Sequence, residues 1–215
     1  MMTLESIEEC NTTGYTLNID DRNRIRLLLD KVNTHDIQFK YFLTLDYWFK
    51  MDKEDRLIKD NRHLKKILQK FFKYEIRMFF FNEKHQSGGF HRHIALEGIP
   101  ESRWLNPTPQ METFMTETDT EMLFGCLSGV VPTVHQQMDL IKKVVKRFHH
   151  STPNGNLGLN LLPIHNLEGL LSYCTKQNHH NIPHPYVIDT FNSSCLDDTF
   201  IRRLHAHIRL KATSV

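Results

Sequence analysis

The sequence YEIRMFFFNEKHQSGGFHRHIALEG, residues 74–98, contains two runs of aromatic and aliphatic residues on either side of a glycine pair. Runs of this kind, bounded by turn-forming residues, are typical of β-strands. Gly88 and Gly89 predict a tight turn between the two runs. The segment therefore predicts a β-hairpin, with one strand over residues 74–81 and a returning strand over residues 91–98.

Three polar residues of this hairpin form a candidate metal site. His91 and His93 are two residues apart on the returning strand, so their side chains leave the same face of the sheet, while Arg92 points to the other face. Glu83 on the partner strand adds a carboxylate. Two imidazoles and a carboxylate form a three-ligand site with open positions for water or phosphate. The sequence thus predicts that Glu83, His91 and His93 bind one divalent metal ion.

A simpler interpretation treats His91 and His93 as polar residues on a solvated strand face. The chain has 14 histidines, and a composition this rich yields about one His-x-His pair by chance. A second pair, His205 and His207, lies in a segment with a helical pattern. Residues two apart on a helix do not share a face, so we expect this second pair to be a poor chelator.

Length and composition indicate a globular protein with no obvious bulk affinity for nucleic acid. The 215 residues suffice for one domain with a sizeable core, and the net charge is only +2. No apolar run approaches membrane-spanning length, and the acidic start MMTLESIEEC does not resemble a signal peptide. The four cysteines show no C-x-x-C spacing, which indicates reduced thiols in an intracellular protein rather than a zinc ribbon or disulfide framework. They are Cys10, Cys126, Cys174 and Cys195.

Basic residues are concentrated on two predicted helices. Such runs either bind phosphates or form an ordinary solvated helix face. The first run comprises Arg56, Lys59, Arg62, Lys65, Lys66, Lys70 and Lys73, and the second comprises Lys142, Lys143, Lys146 and Arg147.

The remaining elements follow from hydrophobic periodicity and from capping and breaking residues. We expect a loop over residues 106–110 and another over residues 181–198. Predicted strands cover residues 37–49 and 157–164, and predicted helices cover residues 20–33, 53–72, 119–128, 135–149, 167–177 and 199–211.

The helix predicted after residue 166 carries a candidate nucleophile. Tyr173 and Lys176 are three residues apart, so the phenol and the ammonium share one helix face. A tyrosine attacks phosphorus when a metal orients the phosphate, and a lysine stabilises the developing charge or protonates the leaving oxygen. Gln177 lies on the same face and is a candidate contact to metal-bound water. The alternative is that Tyr173 is a core residue and Lys176 extends its stem along the apolar surface.

Three motifs, in this order, resemble those of the HUH-type single-strand DNA endonucleases, in particular the rolling-circle replication initiators with one catalytic tyrosine. YFLTLDY, residues 41–47, resembles their first motif; FHRHIALEG, residues 90–98, resembles their histidine motif; and LSYCTKQ, residues 171–177, resembles their Y-x-x-K motif. Glu83 precedes His91 by eight residues, as a third metal ligand does in several viral initiators. Arg92 departs from the family pattern, which has a bulky hydrophobic residue there, and it implies a polar or wet neighbour on the opposite sheet face.

The resemblance implies an α/β fold of the α+β type, with a central antiparallel sheet like the ferredoxin-like core of that family and helices packed mainly on one face. It implies a nuclease domain over residues 36–180, an N-terminal helical extension over residues 1–35, and a C-terminal loop and helix over residues 181–215 that pack on the nuclease domain or extend it. It also implies that Mg²⁺ or Mn²⁺ is the cofactor. Tyr173 would be the nucleophile and Lys176 its partner, with Thr44 of the first motif as a DNA contact. From the second basic run we also expect Lys146 and Arg147 to contact DNA.

The implied activity is site-specific nicking and joining of single-stranded DNA through a 5′-phosphotyrosine, to initiate rolling-circle replication of a virus, phage or plasmid. The implied partners are single-stranded origin or hairpin DNA, a host helicase and a polymerase, with no membrane. The implied location is the cytoplasm of a bacterial or archaeal host, or a eukaryotic nucleus. The alternatives are a relaxase or single-strand transposase with the same chemistry, a non-cleaving origin-binding module, and an interaction protein that binds no metal.

Overall fold

The computed structural model describes residues 19–47, 54–84, 90–149, 157–175 and 192–194. These residues form an α+β fold of four strands and seven helices. The strands are β1 (Phe39–Tyr47), β2 (Met78–Lys84), β3 (Phe90–Glu97) and β4 (Leu157–Pro163). The helices are α1 (Ile19–Thr34), α2 (Glu54–Phe72), α3 (Glu101–Leu105), α4 (Pro109–Thr118), α5 (Thr120–Leu127), α6 (Val134–Phe148) and α7 (Leu167–Thr175).

The strands form one antiparallel sheet in the order β2-β3-β1-β4. Helix α2 connects β1 to β2, and helices α3 to α6 connect β3 to β4. This β-α-β-β-α-β connectivity, with β3 inserted between β1 and β2, is the ferredoxin-like arrangement. The central antiparallel sheet predicted from the sequence is confirmed. Within the described part of the chain, no helix has the length and apolarity needed to cross a membrane.

The two faces of the sheet are covered unequally. Helices α2 to α6 pack on one face, called here the α2 face, around Leu43, Phe80 and Ile94. Helices α1 and α7 pack on the other, the α7 face, around Phe42, Phe79 and Ala95. Most helices therefore lie on one face, as predicted. Because strand residues alternate between faces, this division assigns His93 to the α7 face and Arg92 to the α2 face.

Helices α1 and α2, which precede β1 and β2, both end on a non-glycine residue with positive φ. Lys73 at the end of α2 has φ 43°, and the N–H of Tyr74 donates to the Gln69 carbonyl at 3.3 Å. Asp36 at the end of α1 has φ 47°, and the N–H of Ile37 donates to the Val32 carbonyl at 3.0 Å, again five residues back. Both ends have the Schellman geometry, which usually places glycine at that position.

The predicted start of the second strand is too early, because the chain leaves α2 through the positive-φ residue Lys73 before it enters the sheet. Strand β2 runs over Met78–Lys84, whereas the prediction covered residues 74–81. Residues 74–77 form the irregular connection that follows the helix end at Lys73. Tyr74 and Ile76 have high strand propensity, but the Tyr74 amide bonds to α2 and the Ile76 amide bonds to the Tyr74 carbonyl, so neither amide pairs with a strand.

The region after Pro100 contains helices that the sequence analysis missed. No element was predicted for α3, and residues 106–110 were expected to be loop. Helix α4 instead begins at Pro109, and the Thr108 hydroxyl accepts from the Met111 amide at 3.2 Å. Proline at the first helical position and threonine before it are a favourable helix start. The two prolines of this segment therefore mark a helix start rather than a continuous loop.

A short piece of the C-terminal region contacts the edge of the sheet. The Ser193 hydroxyl accepts from the Phe80 amide at 2.9 Å, and the Ser194 amide donates to the Met78 carbonyl at 2.8 Å. Lys65 on α2 donates to the Asn192 carbonyl at 3.0 Å. These bonds satisfy backbone groups on the edge strand β2, which would otherwise be open to pairing. The rest of the predicted loop and the predicted helix over residues 199–211 lie outside the described residues, as do His205 and His207.

Candidate metal and nucleophile site

The backbone of the hairpin brings the predicted metal-ligand positions together. Glu83 on β2 and His91 on β3 are direct cross-strand partners, and two pairs further along His93 faces Phe81. Directly opposed residues have Cβ atoms about 4.5–5.5 Å apart. Positions 83, 91 and 93 alternate in phase with Phe79 and Phe81, so the register assigns all three positions to the α7 face. For Glu83 and His91 the structure describes this pairing and not the side chains.

His93 is held on three sides by described side chains. Its ring stacks on Phe42, with centroids 5.2 Å apart and an interplanar angle of 22°. Its Nδ1 lies 3.2 Å from the Thr44 hydroxyl oxygen. Its third neighbour is the Tyr173 ring, at 5.4 Å in an edge-to-face arrangement. With a relative exposure of 2%, this imidazole has a fixed orientation rather than that of a histidine on a solvated strand face.

Tyr173 reaches this position because α7 packs on the same face of the sheet as His93. Leu170, Leu171 and Cys174 are buried with Tyr173 in the core of this layer, and Asn166 caps the helix by accepting from the Gly169 amide at 3.0 Å. Tyr173 is itself 5% exposed. It is therefore both a core residue and a neighbour of the predicted metal strand. Lys176 and Gln177 lie outside the described residues.

The donor set is chemically suited to a divalent cation. Carboxylate oxygen and imidazole nitrogen are ligands for Mn²⁺, and a carboxylate also serves Mg²⁺. Among the side chains that the structure describes, no group of three or more His, Cys, Asp or Glu residues is placed to hold a metal. That set excludes the side chains of Glu83 and His91, so the three-ligand prediction stays a prediction.

Arg92 occupies the opposite face, where it is fully buried among polar partners. Its two terminal nitrogens donate to Asn61 at 2.6 Å and to Asp60 at 2.5 Å, both on α2. The Asp60 carboxylate also lies 3.1 Å from Nε2 of His149, and Asn82 on β2 accepts from Asn61 at 3.5 Å. The predicted polar neighbour of Arg92 is therefore confirmed. A buried ion pair with Asp60 occupies this position of β3.

His149 is the titratable member of this buried cluster. It is 2% exposed, and burial lowers its pKa below the ordinary value of a histidine, although the nearby Asp60 carboxylate opposes that shift. Arg92 and His63 lower the pKa further because each disfavours a second positive charge. A neutral imidazole that donates from Nε2 to Asp60 is the form this environment favours.

The predicted DNA contacts are dispersed over the molecule. Thr44 lies beside His93 on the α7 face, whereas Lys146 and Arg147 lie on α6, in the layer across the sheet. Arg147 pairs with Glu117 at 2.5 Å and lies over the Phe114 ring at 5.2 Å. Most of the basic side chains of α2 are exposed, as on a solvated helix face, while Lys65 is bound to the segment at Asn192.

Thr44 was predicted as a DNA contact, whereas Phe42, Asp60 and His149 were not predicted as residues of the site. Phe42 and Thr44 flank His93 from β1, and Asp60 with His149 complete the cluster around Arg92. For Phe42 and Thr44 a signal was present, because both lie in the first motif two residues apart and so share a face. For Asp60 and His149 there was none, since they belong to elements that meet Arg92 only after the chain folds.

Comparisons of the chain with protein-family models, with curated proteins and with solved structures gave no significant match. A function for this chain therefore has to be inferred from its own residues and their geometry.

Proposed function

We propose that this protein is a metal-dependent enzyme that nicks and rejoins single-stranded DNA through Tyr173. The observation that carries the proposal is the contact of Tyr173 with His93. The two rings are 5.4 Å apart, although they come from motifs eighty residues apart in the sequence. A nucleophile beside a predicted metal strand is what phosphoryl transfer to a tyrosine requires.

The pairing of Glu83 with His91 supports the same proposal. A carboxylate and an imidazole on directly opposed positions, with His93 two residues further along the strand, can converge on one cation. When bound there, Mg²⁺ or Mn²⁺ would withdraw charge from the scissile phosphate and orient it. Because imidazole nitrogens bind Mn²⁺ more tightly than Mg²⁺, we expect the site to have the higher affinity for Mn²⁺.

The proposed reaction uses groups of this chain for the bond changes. The Tyr173 phenol loses its proton to solvent, its oxygen attacks phosphorus, and the bond from phosphorus to the 3′ oxygen breaks. The products are a 5′-phosphotyrosine and a strand with a free 3′-hydroxyl, which receives its proton from Lys176; the lysine regains a proton from solvent. Attack of a 3′-hydroxyl on the phosphotyrosine reverses the reaction and releases the tyrosine. One phosphodiester is exchanged for another, so no external energy source is needed.

The test is a nicking assay on hairpin-containing single-stranded oligonucleotides with Mn²⁺, followed by mass analysis of the protein. We expect a covalent adduct with the wild type and none with Tyr173→Phe. Tyr41→Phe is a matched control, because Tyr41 is also a buried tyrosine but donates to Gln137 on the α2 face. Adduct formation by the Tyr173→Phe variant, or no nicking by the wild type on any substrate, would refute the assignment.

The burial of Tyr173 favours one other candidate, an origin-binding module that does not cleave. At 5% exposure the phenol reaches a phosphate only if DNA binding opens the α7 face. The rate of partial proteolysis or of amide hydrogen exchange in α7, measured with and without DNA, distinguishes the enzyme from the binding module. Increased exchange on DNA binding, together with adduct formation, supports the enzyme, whereas DNA binding with neither supports the module.

Within the enzyme class, initiation of rolling-circle replication is preferred over mobilisation or transposition. The single tyrosine with Lys176 three residues later, and Glu83 eight residues before His91, resemble initiators more than relaxases. The proposed partners are single-stranded origin DNA together with a helicase and a polymerase of the host.

A further inference from the structure

Thr44 contacts the one predicted metal ligand whose side chain the structure describes. Its hydroxyl oxygen lies 3.2 Å from Nδ1 of His93, within hydrogen-bond distance. The two residues are also direct partners in the pairing of β1 with β3. The contact is therefore built into the register of the two central strands of the sheet.

Thr44 is well anchored for this contact. Its neighbours Leu43 and Leu45 are both fully buried on the opposite face, and β1 is paired on both sides, with β3 and with β4. Threonine has restricted χ1 freedom because it is β-branched. The hydroxyl is consequently held in place by the strand rather than by a flexible side chain.

The contact is compatible with metal binding through the other ring nitrogen of His93. An imidazole binds a metal through the lone pair of one nitrogen, while the other nitrogen carries the proton. With Nδ1 facing Thr44, a metal bond through this ring would use Nε2, and the Nδ1 proton would be donated to the Thr44 hydroxyl. Outer hydrogen bonds of this type orient metal-binding histidines and tune their affinity.

We infer that Thr44 is a positioning residue for His93, holding its ring for metal binding, rather than a contact to DNA. The inference deepens the proposed function, since it concerns the metal site that the proposal invokes. It replaces the role expected for Thr44 from the first motif. Phe42, stacked on the same ring, restricts the tilt of the imidazole while Thr44 sets its hydrogen bond.

The test measures metal affinity directly, by calorimetric titration of the DNA-free protein with Mn²⁺. Thr44→Val keeps the shape of the side chain and removes the hydroxyl. We expect its Mn²⁺ affinity to fall by about 10- to 100-fold, the range found for loss of an outer hydrogen bond to a metal ligand. Thr44→Ser should recover most of the affinity, because it retains the oxygen. Should Thr44→Val not fold, Thr44→Ala carries the same expectation.

Thr113→Val is the matched control, because the Thr113 hydroxyl bonds only within helix α4 on the other side of the sheet. Its Mn²⁺ affinity should equal that of the wild type. The affinity of Thr44→Val for single-stranded DNA in EDTA should also be unchanged. A loss of DNA affinity in EDTA with unchanged Mn²⁺ affinity would overturn the inference and favour a DNA contact.

The outcomes for the inference and for the proposed function are separable. Wild-type nicking together with equal Mn²⁺ affinities of wild type and Thr44→Val overturns the inference alone. Weaker Mn²⁺ binding by Thr44→Val without any nicking by the wild type supports the inference and refutes the proposed activity. Absence of Mn²⁺ binding by the wild type overturns both.

Discussion

Replacing Arg92 with leucine should destabilise the protein strongly, because it breaks a buried ion pair. The Arg92 side chain is 0% exposed and that of Asp60 is 15% exposed. The substitution removes two charge-assisted hydrogen bonds, to Asp60 and Asn61, and leaves a largely buried carboxylate beside His149 without its arginine counter-charge. Breaking such a pair from one side costs about 3–5 kcal/mol of unfolding free energy.

Part of this cost should be recovered when the second charge is removed as well. Replacing both members of a buried ion pair by apolar residues of similar volume is often neutral or stabilising. We therefore expect Arg92→Leu/Asp60→Leu to be more stable than either single variant. The coupling energy from the double-mutant cycle should be at least about 2 kcal/mol, at the upper end of values for residues in one network.

Urea denaturation followed by circular dichroism measures these differences. At constant m-value, the midpoint should fall clearly for each single variant and rise again for the double variant. Arg147→Leu is the control, since Arg147 and Glu117 form an ion pair with both side chains 49% exposed, and it should cost about 1 kcal/mol or less. A cost below about 1 kcal/mol for Arg92→Leu, or additive effects in the double variant, would contradict the description of Arg92 as a buried, paired charge.

Two further changes test other parts of the structure. His149 has a pKa lowered by burial, so the unfolded chain binds a proton more readily than the native protein, and stability should fall as the pH drops below about 6.5 toward the lower native pKa. His149→Gln should reduce this pH dependence in denaturation curves collected between pH 7 and pH 5; an unchanged difference between these pH values would show that His149 is not its source. Thr133→Ala removes the capping box of α6, in which Thr133 and Gln136 bond each other's backbone, and should lower the unfolding free energy by about 1 kcal/mol. Thr116→Ala, at an exposed position within α4, is the comparison, and an equal effect of the two alanine substitutions would contradict the capping role.

The order and type of most elements could be predicted from local pattern. The alternating and amphipathic runs that predict β1, α2, β3, β4 and α7 depend only on residues close together in the chain, and the structure has these elements within a few residues of their predicted bounds. The errors at residues 74–77 and 106–110 have local causes of a different kind. Lys73 ends α2 in a conformation that usually favours glycine, so no residue pattern indicated the helix end there. The prolines around residue 109 predicted a loop, but Pro109 is the first residue of helix α4.

The candidate site, too, was predicted from local sequence only in part. Strand alternation and helix spacing were enough to select His91, His93 and Tyr173, because those rules act over two to four residues. That Tyr173 lies against His93 required α7 to pack on one particular face of the sheet. The metal ligation itself, and the roles of Lys176 and Gln177, stay predictions.

The sequence by itself determined the type and order of most strands and helices, including a histidine strand and a tyrosine helix, because hydrophobic periodicity is a local property. The arrangement of the strands in one antiparallel sheet was expected only from the family resemblance. Only the tertiary structure decided what those residues contact. Thr44 and Phe42 reach His93 through the pairing of β1 with β3, and Asp60 and His149 reach Arg92 through helices that pack on the opposite face. Partners so distant in sequence are set by strand register and helix packing, which no local pattern contains.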